Sequence, residues 1–231
     1  MTKGFTYRYA RAALTVDCAV FAFAEGCLHV LLIRRGQDPF EGMWALPGGF
    51  VDVHETVEAA ARRELEEETG LSEIFLDELG TFSTLDRDPR ERVISIAFVA
   101  LLRGIPRVLR GSDAAEARFV PVHELPALAF DHDEILRAAR ERLRQQFRTR
   151  FTCVELLPKK FPLRDLQTLF EAVLGAPIDK RNFRKRMLAT GVLVPTGERE
   201  SAVTHRAAEL YRFDKKGMER LARDGFVLGL G

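Results

Sequence analysis

Residues 62–71, RRELEEETGL, place four glutamates (Glu64, Glu66, Glu67 and Glu68) in five positions of a stretch whose apolar residues recur at helical spacing. With Val57 set at zero and ~100° per residue, Val57, Ala60, Ala61 and Leu65 form the stripe expected to face a core. On that wheel Glu64 falls near ~340°, Glu68 near ~20° and Glu67 near ~280°, while Glu58 and Glu66 point the other way. A solvated face accounts for Glu58 and Glu66. It does not account for three carboxylates on or beside the buried stripe, which would be driven toward protonation unless cations neutralise them. Hard oxygen ligands so placed suit Mg²⁺ or Mn²⁺.

Elements on either side must hold such a helix. Residues 16–23 and 28–35 are apolar and β-branched, separated by Glu25-Gly26, and read as a hairpin. The stretch FEGMWALPGGFVD is turn-rich, and the helix then runs over 56–69 to Gly70, a residue suited to a left-handed C-terminal cap. Strands are expected at 92–102 and 116–122. Asp131 to Glu134 has the capping-box pattern, with Ile135, Leu136, Ala139, Leu143 and Phe147 at helical spacing to about Arg148. Strands, one helix and more strands imply a layered α/β or α+β domain.

From Gly49 the sequence reads Gly49, five residues, Glu55, seven residues, Arg63, Glu64, Leu65, one residue, Glu67, Glu68, one residue, Gly70, Leu71. This pattern resembles the Nudix box at every defining position, over a domain of roughly residues 12–148. The resemblance implies an α/β/α sandwich with a mixed sheet and metal-dependent cleavage of a nucleoside diphosphate linked to another group. It also implies that Glu64, Glu67 and Glu68 hold the divalent ions beside Gly49, that Glu55 supports the site, and that Arg63 orients a carboxylate. The general base could be Glu67, Glu68 or a loop acid such as Asp113 or Glu116. WALPGGFVD, STLDRDPRERVISIAFVALL and FVPVHELPALAFDH resemble the branch acting on ADP-ribose-type nucleotide-sugars and dinucleotides. Trp44, Phe40, Tyr7 and Tyr9 could stack on an adenine or fill the core. Arg87, Arg90 and Arg92 could meet phosphates or be solvated.

Beyond residue 150 the character changes. Residues 1–149 carry 19 Lys and Arg against 24 Asp and Glu, and residues 150–231 carry 16 against 10, a split hidden in the net charge of +1. Leu166, Leu169, Phe170, Val173 and Leu174 mark a helix over 163–174, and Gly175-Ala176-Pro177-Ile178 stops it. A second helix starts at Asp179 with Phe183 and Met187 inward and Arg181, Asn182, Arg184, Lys185 and Arg186 outward or flanking. Strand-like runs at 192–195 and 207–213 would form a wing. Two short helices and a wing outline a winged helix–turn–helix, whose basic residues, with Arg206, suit phosphates and base edges of double-stranded DNA. Residues 151–214 are similar to the winged helix of the Nudix-related transcriptional regulators of NAD metabolism, which implies an ADP-ribose-type effector.

Two domains are therefore expected, 1–149 and 150–231. Cys18, Cys27 and Cys153 lack paired metal spacing and read as reduced thiols. No run approaches the roughly 18 apolar residues of a membrane span, and the N-terminus lacks a secretion signal, so a cytoplasmic protein is expected. The leading expectation is a homodimeric regulator that keeps Mg²⁺-dependent hydrolysis. The competing one is an ADP-ribose-type pyrophosphatase whose tail serves oligomerisation.

Overall fold

A computed structural model describes residues 8–108, 114–149, 155–201 and 207–227. The chain opens with β1 (Ala13–Ala24) and β2 (Cys27–Arg35), joined at Glu25 and Gly26, both with positive φ as a two-residue hairpin turn requires. The short β3 (Trp44–Ala45) and β4 (Gly48–Phe50) lie in the turn-rich stretch, and α1 (Val57–Thr69) follows. Then come β5 (Asp77–Phe82), β6 (Val93–Leu102), β7 (Ala114–Pro121) and α2 (His132–Thr149). These strands make one mixed sheet in the order β3-β2-β1-β6-β5, with β4 added to β1 and β7 to β2. The β1–β6 pair is parallel and the others are antiparallel.

β1 explains the layering. Its residues alternate between faces, and both faces are buried: Val16, Cys18 and Val20 pack with Ala60, Ala61 and Leu65 of α1, whereas Ala19 and Phe21 pack with Ile135, Leu136 and Ala139 of α2. A strand covered on both sides needs a continuous apolar run, which residues 18–23 supply. The result is an α/β/α sandwich.

The C-terminal part comprises β8 (Phe161–Pro162), α3 (Leu163–Leu174), α4 (Lys180–Ala189), β9 (Leu193–Arg199), β10 (Glu209–Phe213) and α5 (Lys215–Arg223). β8, β10 and β9 form a small antiparallel sheet behind the two helices, giving a winged helix. β5, β8 and α5 were not expected from the sequence. The two parts share one apolar cluster: Phe147 of α2 meets Phe170 of α3 edge to face at 5.3 Å, and Phe170 meets Phe183 of α4 at 5.5 Å. The seam is also hydrogen-bonded, Arg103 Nε to Leu157 O at 2.6 Å and Arg144 Nε to Val173 O at 3.2 Å.

One local expectation is overturned. The Asp131 carboxylate does not cap α2 but is gripped by Arg87, Nε to Oδ2 at 2.9 Å and Nη2 to Oδ1 at 2.7 Å. A buried guanidinium from a distant loop outcompetes a local backbone amide, because a charge left unpaired there would be far more costly.

Candidate functional site

The carboxylate helix is fixed at both ends. Thr56 Oγ1 accepts from Ala59 N at 3.2 Å, and Gly70, at φ 71°, closes the C-terminus with its amide on Glu66 O. β4 lies against β1 in the register Val16 to Gly49, which brings the Gly48-Gly49 backbone up to the helix. Gly48 N donates to Glu68 Oε2 at 2.9 Å. Gly49 leaves empty the space that the Glu64 carboxylate fills, so its role is room for that side chain.

Arg63 binds across the box. Its Nε and Nη2 hold Glu55 at 3.1 and 2.7 Å, Nη2 also reaches Phe50 O at 3.1 Å, and Nη1 reaches Glu64 at 2.8 Å and Glu67 at 3.2 Å. The Arg63 bond holds Glu55 below the usual carboxylate range, helped by the Asp52 amide. Burial pushes Glu64 upward against the pull of Arg63, with the charges of Glu67 and Glu55 adding to the rise. Burial likewise raises Glu68 to about 8; Glu64 and Asp17 add to this, while the Gly48 amide and Arg35 act against it. Two carboxylates pushed up by burial and by neighbouring acids, both lining one cleft, fit a hard divalent cation that would relieve both. Among the described residues no ready-made cluster of three ligating side chains is present.

Glu64 and Glu68 line a cleft of about 350 Å³ together with Arg35, Arg90, Asp88 and Phe130. Glu67 stands outside it, its side chain 56% exposed against 15% for Glu64, so the expectation of three half-buried carboxylates is corrected to two plus a peripheral one. Across the cleft, Arg35 lies over the Phe130 ring at 4.8 Å, and Arg90 lies over Phe50 at 5.2 Å and Phe130 at 5.9 Å. Asp88 fixes Arg90 through both carboxylate oxygens at 3.0 and 2.7 Å. Burial, with Arg90 close by, lowers the affinity of Arg35 for its proton, which marks a site that favours an anion. Phe130 and Phe40, in edge contact at 4.8 Å, both adopt positive φ (55° and 65°), backbone strain concentrated at this wall.

Beneath the cleft lies a buried network. Asp17 accepts from Ser95 Oγ at 2.5 Å and Arg87 Nη2 at 3.3 Å, and His132 Nε2 is 3.2 Å from its other oxygen. Leu46 N meets His132 Nδ1 at 2.9 Å, which orients the ring so that Nε2 faces Asp17. Burial alone would raise Asp17, but His132, Ser95 and Arg87 outweigh it and hold the carboxyl at about 2.

Other expected ligand contacts lie away from the cleft or are already committed to protein partners. Arg92 spends its guanidinium on Thr84 O, Val93 O and Ser83 O, because a loop of bare carbonyls surrounds it. Trp44 is half-buried on the core and covered by Arg118 at 4.3 Å from its ring. Glu116 pairs with Arg118 at 3.9 Å and does not line the cleft; Asp113, Tyr7 and Cys153 lie outside the described residues. Arg87 lines the cleft but is committed to Asp17 and Asp131. Sequence reasoning missed Arg35, Asp17, Phe130 and His132. A charged Asp17 inside an apolar strand was the signal for the network, and an arginine ending an apolar strand was the signal for Arg35.

In the winged helix the turn between α3 and α4 is held by Glu171, whose Oε1 accepts from Ile178 N at 2.9 Å. Asp179 caps α4 through Asn182 N at 2.8 Å. Phe183 and Met187 are buried, Arg181, Arg184 and Lys185 are exposed, and Asn182 and Arg186 are half-buried. The wing's acids are internally paired, Glu198 to Lys160 at 2.6 Å and Glu200 to Arg164. Arg206 lies outside the described residues.

The NUDIX domain family model matches residues 12–139, and the NrtR DNA-binding winged helix domain model matches residues 153–213. The chain belongs to the Nudix family. Its Nudix domain is followed by an NrtR-type winged helix, and the whole chain is similar to the ADPR responsive transcriptional repressor NtrR of Acinetobacter baylyi, 34% identical over 89% of this chain and 83% of the relative. The Nudix domain is also similar to the ADP-ribose pyrophosphatase of Methanocaldococcus jannaschii, 50% identical over 56% of this chain and 73% of that protein. Among solved structures, Shewanella oneidensis NrtR complexed with a 27mer DNA superposes with a TM-score of 0.72 at 30% identity, covering 89% of this chain and 95% of that one. No helix among the described residues is long and apolar enough to cross a membrane.

Proposed function

We propose that this Nudix-family protein is a transcriptional regulator responsive to ADP-ribose or a related NAD metabolite, and that it retains Mg²⁺-dependent pyrophosphohydrolase activity. The observation that carries the reading is the presence in one chain of a carboxylate-lined cleft, built by a complete box, and an exposed basic helix face in the winged helix. The A. baylyi repressor and the DNA-bound S. oneidensis protein share the architecture, and the M. jannaschii pyrophosphatase shares the box-bearing domain.

In this reading Glu64 and Glu68, with Glu67 at the rim and the Gly49 backbone alongside, hold Mg²⁺ or Mn²⁺. Bound there, the ion would offset diphosphate charge and lower the pKa of an attacking water. Arg63 keeps Glu55 and Glu64 in place. Arg35 and Arg90, braced on Phe130 and Phe50, receive the phosphates. Arg181, Asn182, Arg184, Lys185 and Arg186 meet DNA. Paired half-sites in a homodimer double that contact, which calls for a palindromic operator. The working division is 1–149 and 150–231, in the cytoplasm.

A second reading, an ADP-ribose-type pyrophosphatase without DNA binding, draws support from the shared core: a tail that completes the apolar cluster around Phe147 has a structural role without DNA. One experiment separates the two. ADP-ribose turnover with Mg²⁺ is measured beside binding to DNA from the protein's own upstream region, with and without ADP-ribose. Turnover with DNA binding that ADP-ribose weakens supports the regulator, turnover without DNA binding supports the pyrophosphatase, and absence of turnover removes the hydrolytic part of both.

A further inference from the structure

A second concavity lies outside the cleft and shares no lining residue with it. It is a groove of about 610 Å³ between residues 125–128 and the outer face of α2. Its floor is apolar, Leu125 and Leu128 packed on the core and Leu136 buried beneath them. Its rim carries three arginines against one acid, Asp133: Arg137, Arg140 and Arg144, at i, i+3 and i+7, share one face of the helix.

The three arginines are not equivalent. Arg137 has an exposed pair with Asp133 at 3.1 Å, and Arg144 has Glu141 at 3.3 Å and the Val173 carbonyl. Arg140 is half-buried, and among the described residues none accepts a hydrogen bond from its guanidinium. Burial and the neighbouring Arg144 charge both lower its hold on its proton. A half-buried cation with no anion partner among the described residues, set over an apolar floor in a groove of small-ligand size, is complementary to an amphiphilic anion.

We infer that this groove is a second ligand site, which takes an organic anion with one charged head and an apolar body, the head bound by Arg140 and the body lying on Leu125, Leu128 and Leu136. This goes beyond the regulator reading and does not depend on it. An occupant that also engages Arg144 competes with the Val173 carbonyl at the end of α3, which ties the groove to the winged-helix seam.

The probe is 8-anilinonaphthalene-1-sulfonate, a sulfonate on a planar apolar body, titrated into the full chain by fluorescence. One saturable site per chain is expected. Arg140→Met, which keeps the aliphatic stem, should weaken the probe at least ~10-fold, since a charge-assisted bond in a dry site is lost. Arg90→Ala, in the cleft, should leave it unchanged. Displacement by AMP assigns the head to a phosphate, and displacement by octanoate assigns it to a carboxylate. Arg140→Lys, which keeps the charge without the fork, should fall between and serves if Arg140→Met does not fold. Wild-type affinity in both Arg140 variants, equal loss in Arg90→Ala, displacement by neither anion, or a site that opens only when a dimer is diluted apart would each overturn the assignment.

Discussion

The carboxylate of Glu64 occupies the place where a side chain on Gly49 would begin. Any Cβ at Gly49 collides with a side chain already held by Arg63 at 2.8 Å, so the glutamate must leave the cleft for the variant to fold. Gly49→Ala should therefore keep the fold and lose at least ~10²-fold in Mg²⁺-dependent ADP-ribose turnover, since each ~1.4 kcal/mol is tenfold. Initial rates across a Mg²⁺ series, beside a melting curve, check this.

Glu66 and Glu67 are adjacent and both exposed, yet only Glu67 joins the Arg63 fork. Glu67→Gln should cost at least ~10²-fold in turnover, and Glu66→Gln should stay near wild type. Near-wild-type turnover in both folded variants would leave Glu64 and Glu68 to hold the ion, and equal losses in both would overturn the assignment of Glu66 to the outer face.

Asp17 sets an acid limit. Its folded pKa is depressed to about 2, so it contributes stability above its ordinary value near 3.8, and that contribution is lost as pH falls through the folded pKa. Asp17→Asn should flatten the pH dependence of the melting temperature between about 4 and 2. It should also destabilise the protein at neutral pH by roughly 3–5 kcal/mol, because Arg87 is left half-compensated in the core. Urea melts at several pH values measure both.

Phe147 joins the two halves of the core. Phe147→Ala should destabilise by about 3–5 kcal/mol and open the edge contact with Phe170. With the seam intact, fluorescence and circular dichroism should report one transition; in the variant the winged helix should melt first.

The exposed face of α4 carries Arg181, Arg184 and Lys185. Their triple alanine variant should fold, keep hydrolysis and lose most DNA affinity. For the wild type, affinity should fall by roughly 0.9 log units per log unit of salt for each phosphate neutralised. Gel-shift or anisotropy titrations at several salt concentrations test this; unchanged operator affinity in the variant would favour the pyrophosphatase reading.

What could be read along the chain was what neighbouring residues impose on one another. The α1 helix, its Thr56 and Gly70 ends, the Nudix box and the α3–α4 pair were legible because helical period, caps and motif spacing act over a few residues. The inward setting of Glu64 and Glu68 followed from the same period. Exposure of Glu67 did not, since a wheel angle at the border of the stripe is settled only by what packs above it.

Tertiary structure decided which distant side chains meet. Arg87 finds Asp17 and Asp131, 70 and 44 residues away, and so cancels the cap expected of Asp131 and removes Arg87 from the free phosphate ligands. Arg92 is consumed by loop carbonyls and Trp44 is roofed by Arg118, while Arg35, though its Nε donates to Pro39 O at 2.8 Å, lines the cleft because β2 ends beside Phe130. Composition marked these residues as able to bind a ligand; only the fold distributes limited hydrogen-bond partners among competing donors, and a buried guanidinium must be paired before a ligand can claim it.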